Sequence, residues 1–379
     1  MRILHLESAK TAGGQEYRTL IEAQWLKAAG HQVWIAGNPD SWIVEQGIAA
    51  KIPALPLEMR SSRSPLTTWK LYRMVRSLDC DLIHVHGRID GWIAAPLRLI
   101  GVPIVRTRHL TNPIRPFNYR YGCDHLIVTA ECTRKNLAKD YGIPLDRMTL
   151  VGEGADLTQF HPNTDGSSFR LLWGAQPEDF VFGCVAMLRH DKGQRFFIQA
   201  AVRICKQLPH ARFVIIGDNA HATSSTRESY RELIREQFGY DAWQPGNCVR
   251  LSRETPLLMH GFASDVARAT AALDVAVVPS TSEAQSRTAP EALCLGKPVI
   301  ASNVGGLPEV VENEKTGLLV PPHNVEALAA AMVRLAENPL LYRKLATAAA
   351  EEGKKRFSFD ARMEETLRVY EKVMGRGSH

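Results

Sequence analysis

Residues 274–309 read DVAVVPSTSEAQSRTAPEALCLGKPVIASNVGGLPE. The opening DVAVVPS is an apolar, β-branched run, the pattern of a strand buried on both faces. A polar loop, STSEAQSRTAPE, follows. The next helix is expected to start near Ala289–Pro290, because proline suits the first helical turn. PVIAS then reads as a second strand. Strand, helix and strand in this order make the unit of a parallel sheet. Ligands of such sheets bind outside the carboxyl ends of the strands. Glu283 falls in the loop after the first strand, and Glu291 in the first turn of the helix. A carboxylate accepts two hydrogen bonds from a vicinal diol. Two carboxylates flanking a helix start could therefore hold two diols on either side of a diphosphate, the layout of a nucleotide sugar. The double glycine of NVGGLPE would let another backbone segment approach.

The same rhythm runs along the whole chain. RILHLES, QVWIAG, DLIHVHG, PIVRTRHL and HLIVTA are strand-like in the first half; FVFGCVAML, RFVIIGD, DVAVVPS, PVIAS and GLLV are strand-like in the second. Helix-compatible segments separate them, notably about 16–29 and 194–206. Two such series predict an α/β chain of two doubly wound, Rossmann-like parallel-sheet domains. The boundary is expected between Gly152 and Asp179, where HPNTDGSSFR breaks the periodicity. The domains are drawn at 1–165 and 166–357. The last helix, within 358–376, belongs to neither series.

The chain has 379 residues, 45% hydrophobic and 23% charged, as expected of two globular domains with sizeable cores. No apolar run reaches the roughly 18 residues of a membrane span. MRILHLESAK reads as a first strand rather than a secretory leader. Seven scattered cysteines with no CxxC argue for reduced thiols and a cytoplasmic protein, against a disulfide frame or a zinc site. Net charge is +6, but residues 60–120 hold eleven Lys/Arg and three Asp, a local excess of +8. Such an excess is either a set of solvated helix faces or a surface turned toward the phosphates of an anionic acceptor or of the inner membrane. Aromatic interleaving is thin and no nucleic-acid module is present, so nucleic acid is not an expected partner.

Other residues stand just after strands. Gly13 and Gly14, in AGGQE, permit either a simple turn or a close approach of backbone to phosphate. The pattern is not GxGxxG, and no acidic residue ends QVWIAGN, which argues against a dinucleotide cofactor. His84 and His86 share one face of their strand by the period of two. With His109 they could suggest a metal, but no carboxylate-rich set accompanies them. Buried, hydrogen-bonded roles suit His84 and His86, and a sugar or phosphate contact suits His109. Asp79-Cys-Asp81 resembles a metal–nucleotide motif but precedes its strand, at the wrong end of the sheet. In MLRHDKGQ, Arg189 and Lys192 stand where a helix begins, either as a charged loop or as a diphosphate site.

The arrangement resembles the retaining glycosyltransferases of family 4, which have the GT-B fold. The resemblance covers nearly the whole chain. Its most specific part is E-x7-E, Glu283-AQSRTAP-Glu291, followed by GKPVIAS and GG-x-x-E. It implies that Glu283 contacts the donor sugar hydroxyls, Glu291 the ribose and Lys192 the diphosphate. Gly14 would lie near donor sugar and acceptor, His109 would bind the donor sugar, and the backbone of Ala284, Gln285 and Ser286 would line the donor site. The last helix would return to the first domain. The reaction would retain anomeric configuration without a metal or other cofactor. No carboxylate would act as covalent nucleophile; Arg189 and Lys192 would neutralise the leaving group, and a phosphate oxygen would take the acceptor's proton. Three departures stand out. Ala284 and Gln285 replace the family's glycine and aromatic residue. Met187 stands where the family's arginine often lies, with Arg189 only three residues before Lys192. Gly217–Asn219 reads GDN where GDG is common.

The resemblance implies a cytoplasmic enzyme moving a sugar, most often UDP-linked in this family, onto a glycolipid or surface polysaccharide such as lipopolysaccharide. Two other classes share the pattern: a nucleotide-sugar epimerase, which needs no acceptor, and a catalytically silent nucleotide-sugar-binding module.

Overall fold

The computed structural model describes residues 1–11, 13–109, 112–218, 224–245 and 249–375. Ala12, Asn219 and the end of the expected last helix at residue 376 lie outside them. The chain divides into two compact units, one of Met1–Gly152 with the segment from Asp360 onward, the other of Glu153–Phe359.

In the first unit the strands are β1 (Arg2–Glu7), β2 (Gln32–Gly37), β3 (Ala54–Pro56), β4 (Leu82–Val85), β5 (Ile104–Arg108), β6 (His125–Val128) and β7 (Met148–Leu150). The helices between them are α1 (Gly14–Ala28), α2 (Trp42–Ala49), α3 (Pro65–Ser77), α4 (Arg88–Arg98), α5 (Pro116–Tyr121) and α6 (Glu131–Tyr141). The sheet order is β3-β2-β1-β4-β5-β6-β7, with every pairing parallel. Order reverses between β1 and β4, and that switch point opens a crevice at the carboxyl ends of the strands. Local chemistry sets the helix ends. Ser64 caps α3 by accepting from the Thr67 N–H at 3.2 Å, with Pro65 in the first turn. Gly142 ends α6 in the left-handed region.

In the second unit, α7 (Ser167–Trp173) leads into β8 (Phe180–Val185), α8 (Gln194–Ile204), β9 (Ala211–Ile216), α9 (Ser224–Phe238), β10 (Leu257–Gly261) and α10 (Val266–Ala271). After these come β11 (Val275–Val278), α11 (Thr288–Cys294), β12 (Val299–Ser302), α12 (Leu307–Val310), β13 (Gly317–Val320), α13 (Val325–Ala336) and α14 (Pro339–Arg356). The parallel order β10-β9-β8-β11-β12-β13 places its switch point between β8 and β11. Strand residues such as Phe182, Phe213, Val275 and Ile300 are fully or almost fully buried, so these strands read as apolar runs rather than alternations.

The units divide at Gly152, ahead of the sequence-drawn line at 165. Ala155 is held in the second unit by backbone bonds with Phe357 and Phe359, and Phe160 packs in the same core. The last helix, α15 (Phe359–Val373), runs almost wholly in the first unit. The Trp25 indole donates to Asp360 at 2.7 Å, and the Tyr370 hydroxyl lies 2.7 Å from His84 Nδ1.

Candidate active site

In the second unit the loops after β8 and β11 flank the switch point. The chain turns through His190–Lys192, passes Gly193 at φ +72° and enters α8. A side chain at Gly193 would place its Cβ 1.9 Å from the Pro279 carbonyl oxygen, so the two loops pack backbone to backbone. The Thr281 N–H donates to the Asp191 carbonyl at 2.8 Å, fastening them. The outcome is a direct ion pair: Lys192 Nζ lies 2.7 Å from Glu283 Oε2, and the Ser280 hydroxyl donates to the same oxygen at 3.1 Å. The double glycine supports this loop from beneath. Gly305 has φ +55°, and a Cβ there would fall 1.7 Å from the Glu283 carbonyl oxygen. The Gly306 N–H donates to the Ala284 carbonyl at 2.6 Å.

The rest of the E-x7-E segment is also tightly held. Ala284 and Gln285 are buried, and the Gln285 side chain accepts from the Glu153 N–H. Ser286 has φ +73°, a left-handed conformation that costs a non-glycine residue about 1–3 kcal/mol and clusters at functional sites. Glu291 lies in α11, only 5% exposed, and accepts from the Arg287 guanidinium at 3.0 Å. Burial pushes its carboxyl above the ordinary value, and Arg287 pulls in the other direction. Arg189 does not join Lys192. Its half-exposed guanidinium donates twice to Asp191, at 2.9 Å each. Of the two cations expected at this helix start, Lys192 is the one engaged with an E-x7-E carboxylate.

In the first unit, Gly13 and Gly14 open α1. Gly13 is extended and accepts from the Tyr17 N–H at 3.0 Å; a Cβ on it would come 2.7 Å from Glu16 Oε2. The histidines form a chain. His5 stands opposite His84 in the β1–β4 register. His5 Nδ1 lies 3.0 Å from His86 Nε2, and His86 Nδ1 lies 3.4 Å from His109 Nε2. Burial holds all four imidazoles low: His5 near 3, His84, His86 and His109 well below their ordinary value. They are neutral at neutral pH. Ligand-capable atoms of His5, Glu22, His84 and His86 lie within 4.8 Å of one another. Both ring nitrogens of His84 are already hydrogen-bonded, to Thr107 and Tyr370, at 2.7 Å each.

Several of these residues escape sequence reasoning. Glu22 is buried beside Arg18 at 2.7 Å, although the i,i+4 spacing suggests a surface pair. Glu7 is fully buried, receives both bonds of the Gln15 amide, and is pushed well up by burial and by the nearby Asp90 and Glu16 carboxylates. Asp90 in turn accepts from the N–H groups of His86 and Gly87 at 3.0 and 2.8 Å. Asp79 and Asp81 pair with Arg2 ahead of β4, away from the site.

The sequence profile of glycosyltransferase family 4 matches residues 12–159, and that of glycosyl transferases group 1 matches residues 179–338. The D-inositol 3-phosphate glycosyltransferase of Rhodococcus erythropolis is 30% identical over 315 residues, covering 77% of this chain and 68% of that protein. The chain belongs to glycosyltransferase family 4. This family 4 chain is a sugar-transferring enzyme, and it spans 61% to 73% of the length of the curated relatives it matches. Its fold is GT-B. The crystal structure of Anabaena Alr3699/HepE in complex with UDP superposes with a TM-score of 0.84 at 20% identity, covering 98% of this chain and all of that one. That of WaaG, a glycosyltransferase involved in lipopolysaccharide biosynthesis, gives 0.71 at 14% identity, covering 98% and 100%. Among the described residues, no helix of this glycosyltransferase is long and apolar enough to cross a membrane.

Proposed function

We propose that the enzyme transfers a sugar from a nucleotide sugar, UDP-linked, to a hydroxyl of a glycolipid or surface-polysaccharide acceptor. The observation that carries this reading is the Lys192–Glu283 pair at the switch point of the second unit, with Glu291 buried on the following helix. Lys192 would leave Glu283 for the diphosphate, freeing that carboxylate to accept from the sugar hydroxyls. Glu291 would accept from the ribose diol in place of Arg287. Arg189 would swing from Asp191 toward the departing phosphate. To the sugar ring we assign His109, neutral and able both to donate and to accept. The configuration is retained, and the leaving charge is met by cationic side chains rather than a resident metal.

The membrane side of the reading rests on α3 and its neighbours. Leu66 and Trp69 are 61% and 52% exposed, Ile100 is exposed beside Trp69, and Arg63, Lys70, Arg73 and Arg76 are also at the surface. Aromatic residues mixed with cations suit an anionic bilayer surface. The basic excess is not all outward: Arg106 and Arg108 are buried, and Arg98 pairs with Asp124 at 2.6 Å.

The deciding experiment is thermal unfolding with UDP, GDP, ADP and CDP, then with the matching nucleotide sugars. Ligand binding raises the melting temperature by mass action. A rise with UDP, lost in Glu291→Gln, supports the donor assignment; no rise with any nucleotide sinks it. Product from donor alone would instead identify an epimerase. Full turnover in Glu283→Gln would point to a role for that carboxylate outside the chemistry.

A further inference from the structure

The switch point of the first unit brings three imidazoles into line. His5 lies on β1, His86 directly follows β4 and His109 directly follows β5. His5 and His86 are buried, and His109 is half-buried. His5 Nδ1 meets His86 Nε2 at 3.0 Å, and His86 Nδ1 meets His109 Nε2 at 3.4 Å. Asp90 fixes the backbone of the middle member by accepting from the His86 N–H at 3.0 Å. The chain stops inside the fold, where His5 Nε2 is buried and finds no hydrogen-bond partner among the described residues. At its outer end His109 spends Nε2 on His86, which leaves Nδ1 for a ligand. His84 is not a member, since Thr107 and Tyr370 occupy both of its nitrogens.

Which nitrogen of a histidine carries the proton is set by the bond its other nitrogen makes. Burial keeps these three rings neutral, and the Arg18 and Arg108 charges add to it at His109. Each ring therefore has one N–H and one lone pair. Two nitrogens that face each other need one of each, so a choice made at one ring passes to the next. Two arrangements satisfy both bonds. In one, every ring is protonated on Nδ1: His5 donates to His86, His86 donates to His109, and His109 offers an N–H to its ligand. In the other, every ring is protonated on Nε2, the bonds run the opposite way, and His109 offers a lone pair. Inside the fold the two differ at His5 Nε2, which is either a lone pair or a buried N–H without an acceptor. Among buried backbone groups an orphaned N–H is rarer than an under-satisfied acceptor. By the same preference the chain settles in the first arrangement.

We propose that His5 and His86 are positioning residues that lock His109 as a one-way donor, its Nδ1–H held ready for a ligand oxygen. The ligand's identity as a donor sugar rests on the transferase reading above; the lock rests on the three rings. The test records the ring nitrogens by NMR in full-length protein carrying isotope-labelled histidine, at neutral pH and without ligand. His109→Gln assigns the His109 signals by their loss. The expected spectrum shows His109 protonated on Nδ1 and bare on Nε2. His86→Leu, and His5→Leu at two hydrogen bonds' remove, release it to a mixture of tautomers. His86→Asn, whose amide can donate in place of the ring Nδ1–H, restores the single form. Calorimetric titration with UDP-glucose and with UDP reads the consequence. When only a fraction of molecules present the N–H, the apparent affinity falls by that fraction. His86→Leu then weakens UDP-glucose about threefold to tenfold and leaves UDP unchanged, and His86→Asn recovers the loss. His109 protonated on Nε2 in the parent overturns the lock and leaves the transferase reading standing; this spectrum decides even where a leucine variant fails to fold. A tautomer that is the same in parent, His5→Leu and His86→Leu overturns it as well. UDP and UDP-glucose weakened alike, or neither weakened, makes His86 structural only and overturns its positioning role. A locked His109 in a protein that binds neither ligand upholds the lock and removes the donor reading instead.

Discussion

Replacing Gly305 by alanine tests whether the double glycine exists to seat the Glu283 loop. Two costs are expected. The first is conformational: Gly305 sits at φ +55°, where a Cβ costs about 1–2 kcal/mol. The second is steric. The new Cβ would lie 1.7 Å from the Glu283 carbonyl oxygen, and real Cβ atoms essentially never approach within 3.0 Å. The Glu283 backbone must therefore retreat by about 1.3 Å, and overpacking of this kind costs about 1–3 kcal/mol. The sum, roughly 2–5 kcal/mol, is at or below the stability of most domains, so the variant folds with a displaced loop. Displacement of a positioning group by about 1 Å can cost about a hundredfold in rate. Gly239→Ala supplies the control. Gly239 has φ +79°, and a Cβ there would meet nothing within 4 Å, so it bears the conformational cost alone. Urea denaturation of the two variants separates the terms, and nucleotide-induced thermal shift reads the site. If Gly305→Ala is no more destabilising than Gly239→Ala and still gains the full nucleotide shift, the close approach does not position Glu283.

The buried histidines make stability pH-dependent. Their folded values lie below the unfolded value near 6.5, so unfolded chains take up protons that the native fold refuses, and stability falls as pH drops through 6.5. Each imidazole costs about 1 kcal/mol between pH 6.5 and 5.5. Buried Glu7, whose carboxyl is raised, acts in the opposite direction, so a difference is the clean readout. In His5→Gln the loss of stability over that interval shrinks by about 1 kcal/mol relative to the parent; an unchanged dependence means His5 is not held neutral. On the surface, Trp69→Ala combined with Lys70→Glu lowers sedimentation with anionic vesicles by about tenfold or more, since each cation near such a surface contributes about 1 kcal/mol. Equal sedimentation of parent and variant would rule out α3 as the contact. A Lys192→Met variant loses the nucleotide shift if Lys192 meets the diphosphate, and keeps it if that lysine serves only to hold Glu283.

How far the sequence reaches depends on what each residue's neighbours contribute. The central strands are legible because burial on both faces writes itself as continuous apolar runs, as in β8, β9 and β11. The edges are not. Ala54–Pro56 and Met148–Leu150 are three residues each, and Leu257–Gly261 sits on a sheet edge; their partners, not their own composition, make them strands. The same distinction governs the site. Glu283 and Lys192 stand 91 positions apart, yet both can be read from the sequence, because each follows a central strand at a switch point that topology alone places. Glu291 is marked by its turn of helix. Arg106 reads in the sequence only as one of a basic run at the end of a strand, because sequence shows a cation and cannot show whether its donors are spent. Its idle Nε and Nη1 arise from three choices elsewhere in the chain: a glycine at 91, a ring at 119, and a carboxylate at 90 already occupied by backbone N–H groups. None of these looks functional by itself. Together they leave two donors of one guanidinium buried without a hydrogen-bond partner among the described residues, a cost that no one of the three announces in the sequence.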